Sequence, residues 1–181
     1  MAGGCHAAIV ALLLEREKII VITIQPIAPH QVADAKRLIV TVADSIYQWD
    51  RPIDESIRLF DEENVFDDMV DVQAHYFDRR GIFLVVLGDG QLIGTSALRQ
   101  IDDTTCELKR MWLLPQYHGQ GIGYRAIQML FEFARTAGYQ TIRLETGAQQ
   151  TRAIKFYERV GFRHIKPFDD SDHDVFMEMP L

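Results

Sequence analysis

His118-Gly119-Gln120-Gly121-Ile122-Gly123 is a glycine-rich run suited to holding an anion. It follows an apolar run that ends at Leu114, and it opens a segment whose apolar residues recur at helical spacing. Its backbone amides can therefore converge on an anion at a helix N-terminus. Glycines serve there because a side chain would keep a pyrophosphate from the N–H groups or bar the positive φ values of the turn. The helix dipole adds about 0.3–1 kcal/mol of attraction per negative charge. Taken alone, a Gly-x-Gly before a helix reads equally as a plain turn. No Gly-Lys-Ser/Thr follows, as a P-loop requires, and the loop comes too late in the chain for an opening βαβ dinucleotide unit.

The elements around the loop follow from periodicity. Ile19 to Ile24 is a β-branched run ended by Pro26, which predicts a buried first strand. From Ala28 to about Phe77 the apolar residues, among them Val32, Leu38, Ile39, Val42 and Ile46, fall at helical spacings, with Pro52 as a break between two helices. Ile82 to Leu87, Gly88-Asp89-Gly90 and Gln91 to Ile101 read as a hairpin. A third strand, Glu107 to Leu114, follows a turn at Asp102-Asp103-Thr104. Ile122, Ala126, Ile127, Leu130, Phe133, Ala134 and Ala137 then mark a helix with one buried stripe that stops at Gly138. Thr141 to Glu145 is the next strand. Ala153, Ile154, Phe156, Tyr157 and Val160 form a second amphipathic helix closed by Gly161, and Val175 to Met179 is a last strand. The sum is an α/β (α+β) domain whose sheet passes from antiparallel hairpins to a strand-helix-strand crossover.

Two segments carry a family likeness. Glu107-Leu-Lys-Arg-Met-Trp-Leu-Leu-Pro-Gln-Tyr-His-Gly-Gln-Gly-Ile-Gly123 resembles motif A of the GNAT superfamily of N-acetyltransferases, and Gln150-x-x-Ala153-x-x-Phe156-Tyr157-x-x-x-Gly161-Phe162 resembles its motif B. The likeness spans about Leu92 to Leu181; Ile19 to Phe77 agrees only in its strand-helix-helix order. In two places the sequence departs from the family pattern: His118 stands where Gln or Arg is usual, and Gln150 where Asn is usual. Both retain hydrogen-bonding capacity, with a different reach.

The resemblance implies a mixed, mostly antiparallel central sheet with a splayed strand pair and helices on both faces. It implies acetyl-CoA as acyl donor, with Met111, Trp112 and Leu113 pairing by main chain with the pantetheine arm. His118, Gly119, Gln120, Gly121, Ile122, Gly123 and Tyr124 would hold the pyrophosphate, and Gln150 would assist. An attacking amine must be neutral, whereas a lysine-like amine has a reference pKa near 10.4, so the site must accept a proton. Glu107 and Glu145 match places where family members put a base, Glu107 being the first choice; Tyr157 matches the general acid that protonates the leaving thiolate. Ordinary strand-end ion pairs and core packing are the alternatives for these three. Cys106, next to Glu107 on a strand, should face the opposite side, which favours direct transfer over an acyl-cysteine.

The chain has 181 residues and a formal charge of −7, which disfavours nucleic acid or an anionic membrane as partner. Ala7 to Leu14 is too short to span a bilayer, and the lack of Lys or Arg before it argues against a signal peptide. Cys5 and Cys106 make no disulfide framework, and His6, His30, His75, His164 and His173 have no metal-site spacing. The expectation is a cytoplasmic enzyme without metal: an N-terminal extension over 1–18, then one domain over 19–181. Nine acidic residues between Asp50 and Asp71 read as a solvated helical face, with attraction of a cationic acceptor as the alternative. Phe168 could line the acceptor pocket or pack a turn. A primary amine on a small molecule is the favoured acceptor, and an exposed sheet edge suits a homodimer. The rival reading is a non-catalytic GNAT-fold module that binds acyl-CoA or a partner.

Overall fold

The computed structural model describes residues 20–167 and 174–181. Cys5, His6, Ala7 to Leu14, Ile19, Phe168 and His173 lie outside the described residues. Among the described residues the strands are β1 (Ile22–Pro26), β2 (Ile82–Gly88), β3 (Gln91–Gln100), β4 (Thr105–Leu113), β5 (Thr141–Gly147), β6 (Arg163–His164) and β7 (Asp174–Pro180). The α-helices are α1 (Val32–Tyr47), α2 (Ile53–Glu62), the single turn α3 (Val72–His75), α4 (Ile122–Thr136) and α5 (Thr151–Val160). One sheet has the order β1-β2-β3-β4-β5-β7-β6. Its pairs are antiparallel apart from β4 and β5, which run parallel. The α4 crossover makes that parallel pairing feasible.

Strand alternation sends successive side chains to two helical layers. Leu84, Leu98, Cys106, Leu108, Ile142 and Leu144 pack with Ile127, Leu130 and Tyr157 of α4 and α5. Phe83, Val85 and Ala97 face the other way, against Ala35 and Ile39 of α1 and against Phe66, Met69, Val72 and Tyr76. Pro52 caps α2 in extended conformation, which separates it from α1 as the sequence implied.

Three differences from the sequence reading have physical causes. The first strand is an edge strand with a half-buried pattern, and Val21 is 65% exposed, because β1 pairs with β2 alone. Pro26 ends that strand from inside it, a position an edge tolerates. Residues 63–79 form short 3-10 turns and α3 rather than a continuous helix, and β6 is too short, at 2 residues, to leave a periodic signal.

Candidate functional site

Pairing between β4 and β5 runs only from Thr105↔Thr141 to Leu108↔Leu144. Beyond that point β4 stays with β3 as far as Leu113↔Gly94, while β5 stays with β7 as far as Gly147↔Asp174. The two strands therefore fork. A cleft of about 700 Å³ opens there, walled by β4, the loop before α4 and that helix's first turn, the length of α5 and the end of α1.

The loop has the backbone that the glycines implied. Gly119 and Gly121 adopt φ of 77° and 76°, and no atom stands within 4 Å of where a Cβ would sit on either. Gly121 is the N-cap of the 15-residue α4, so unpaired N–H groups and the dipole's positive end face the cleft. Two positive-φ glycines with open space beside them and a helix N-terminus fit a diphosphate. His118 Nε2 lies 2.9 Å from the Leu113 carbonyl oxygen, which can only accept, so the ring donates there and pins the loop to the end of β4.

Met111, Trp112, Leu113, His118, Gly119, Gly121, Ile122, Gly123, Tyr124, Gln150 and Tyr157 all border the cleft. Gln120 does not; it is exposed and donates to the Gln116 carbonyl. Gln150 directs its amide to the Tyr47 hydroxyl, 2.9 Å away, which ties α5 to α1 across the cleft. A Cβ on Gly147 would collide with that hydroxyl, so glycine at the end of β5 admits the tie.

Tyr157 is buried, edge-on to Phe156 and Phe162 with ring centroids 5.7 Å apart in each case. Burial raises its pKa, keeping the phenol protonated at neutral pH. The two glutamates lie on the sheet face away from Tyr157, and neither borders the cleft. Glu107 is buried, with Arg99 at 2.6 Å and Lys109 at 3.6 Å. Glu145 is exposed and is the first β5 residue past the last pair with β4. Cys106 packs in the α4 layer and burial pushes its thiol up to about 12, so it is no ready nucleophile.

Several cleft residues escaped the sequence reading. Val42, Ser45 and Ile46 come from α1, which carries no motif. Arg152, Phe156 and Arg159 share one face of α5, a spacing of four and three that could have flagged them. Among the described lining residues the fixed charges are these two arginines, and no carboxylate is present. The acidic run does not reach the cleft: Asp54 pairs with Arg37, Asp61 with Lys36, Glu62 with Arg58, and Asp71 caps α3. Among the described residues no helix is long and apolar enough to cross a membrane, and no group of three His, Cys, Asp or Glu could hold a metal.

Residues 43–162 match the family model described as Acetyltransferase (GNAT) family. Human N-acetylaspartate synthetase is 35% identical over 127 residues, covering 69% of this chain and 41% of that protein. The chain thus spans about two fifths of the length of that curated relative. The crystal structure of an acetyltransferase from Streptococcus agalactiae superposes with a TM-score of 0.73 at 26% identity, covering 88% of this chain and 98% of that one. PaiA N-acetyltransferase from Thermoplasma acidophilum, in complex with coenzyme A, gives a TM-score of 0.73 at 22% identity, covering 89% and 99%, a likeness of fold.

Proposed function

Since the chain belongs to the acetyltransferase (GNAT) family, we propose that it moves an acetyl group from acetyl-CoA directly to a primary amine of a small molecule. The observation that carries this is the glycine loop, with its two positive-φ residues, opening onto a fork between two parallel strands. The amides of Gly119 and of Gly121 to Tyr124 take the pyrophosphate, with His118 holding the loop. The freed main-chain groups of Met111, Trp112 and Leu113 take the pantetheine arm. Arg152 and Arg159 supply positive charge along α5, and Gln150, already bonded to Tyr47, shapes the wall.

Two sheet faces divide the proton transfers. Tyr157, on the α4 and α5 side, gives its proton to the thiolate as the C–S bond breaks. On the opposite face a glutamate takes the amine's proton through water as the C–N bond forms. Glu145 suits this better than Glu107, because it is exposed and is the first β5 residue past the fork, whereas Glu107 is buried within the paired part of β4. The buried Cys106 stays out of the reaction, and its free thiol fits a reducing cytoplasm. Residues 19–181 act as one catalytic domain. The name of the human relative suggests an amino-acid acceptor as one small molecule to include.

The test is thiol release from acetyl-CoA across a panel of amines that includes aspartate. Tyr157→Phe should lower kcat by about 10²–10⁴-fold while leaving acetyl-CoA binding intact. Glu145→Gln should cost more than Glu107→Gln. Binding without turnover on any amine would instead mark a non-catalytic module.

A further inference from the structure

One residue before the cleft wall, Arg110 adopts φ of 54°, a left-handed backbone for a residue with a full side chain. It sits in a bulge: Thr95 pairs with Trp112 and Ala97 with Lys109, so β4 spends three steps where β3 spends two. The extra residue reverses the alternation. Cys106 and Leu108 point to the α4 layer, and after the bulge so does Met111, while Trp112 turns to the α1 layer. The aim of every main-chain group from Met111 to Leu113 therefore depends on residue 110.

Arg110 is held from several sides. Its Nε and Nη2 donate to the two oxygens of Asp68 at 3.0 and 2.5 Å, and Nη2 also donates to the Val65 carbonyl at 2.5 Å. The Tyr76 hydroxyl donates to Asp68, the guanidinium covers the Phe66 ring at 5.2 Å, and Thr95 Oγ1 donates to the Arg110 carbonyl at 2.7 Å. The arginine and aspartate side chains are 14% and 6% exposed. A charge so enclosed and so fully used offers nothing to a ligand in the cleft; what it fixes is the backbone.

We propose that Asp68 and Arg110 are positioning residues: their buried pair locks the β4 bulge that aims the main chain of Met111 to Leu113 at the acyl thioester. This rests on the acyl-transfer reading of the cleft. It separates the two walls by role, with the glycine loop fixing affinity for the donor and the pair fixing how its carbonyl is presented.

The experiment compares two double variants in which Asp68→Asn removes the bare buried charge. Arg110→Ala in that background should lower kcat at least 100-fold, with the KM for acetyl-CoA changing less than threefold. Arg110→Gly in the same background, where glycine takes positive φ freely, should recover kcat to within about tenfold of wild type. Amide resonances of Met111 to Leu113 should move in the alanine variant and stay near wild type in the glycine variant. Glycine as inactive as alanine, or unmoved amides with alanine, would overturn the proposal. Should the alanine variant not fold, the single Asp68→Asn must shift the same three amides, or the proposal fails. Wild type without turnover would sink acyl transfer, whereas the amide shifts judge the bulge independently.

Discussion

Two places beside the cleft hold a left-handed backbone, by unlike means. In the loop, Gly119 and Gly121 take φ of 77° and 76° with nothing near their missing side chains. In the strand, Arg110 takes φ of 54° under the combined grip of Asp68, Val65 and Thr95. Glycine adopts this conformation as a local property, while a residue with a Cβ adopts it at roughly 1–2 kcal/mol and must be held by contacts elsewhere. One wall is thus written in the residue itself; the other is written in the tertiary structure.

The strand should respond most strongly. Asp68→Ala leaves Arg110 buried without its carboxylate and should destabilise the fold by about 3–5 kcal/mol, read as a lower urea midpoint. A loss below about 1 kcal/mol would erase the contrast between the two walls. The loop should answer differently: Gly121→Val should cost only about 1–2 kcal/mol in strain, yet raise the Kd for acetyl-CoA at least tenfold by titration. Unchanged affinity would mean that the loop is only a turn.

The smallest effect is a slope in pH. Burial works to raise the Asp68 pKa, but the hydrogen bonds and charge of Arg110, with the Tyr76 hydroxyl, outweigh it and hold the carboxyl below its ordinary value. A depressed folded pKa stabilises above the unfolded value, about 3.9, and the contribution is lost as pH falls through the lower folded one. The stability gap between wild type and Asp68→Asn should therefore be flat above about pH 5 and shrink below it, measured by denaturant midpoints across pH. A constant gap at every pH would show that the charge of Asp68 contributes nothing.

The same contrast decides what could be read from the sequence. The two helices parted by Pro52, the hairpin at Gly88-Asp89-Gly90 and the α4 crossover announce themselves through periodicity and turn chemistry, and all are present. The loop from His118 to Gly123 was legible because glycine is scarce where it is not needed. Arg110 was not legible: its partner lies 42 residues earlier, and an arginine on a strand gives no hint of a bulge. Glu107 has the residue type for a base, but only the fold reveals Arg99 against it and Glu145 at the fork. The α1 wall, with Val42, Ser45 and Ile46, stayed hidden because helical spacing alone does not say which stripe faces a cleft.

Isothermal titration of acetyl-CoA into the wild-type protein shows whether the fork and the glycine loop hold an acyl donor. Acetyl-transfer by this cleft predicts saturable binding at one site, with a Kd between about 1 μM and 1 mM, and none for ATP or NADH. Absence of saturable heat with acetyl-CoA and with other acyl-CoAs would contradict it.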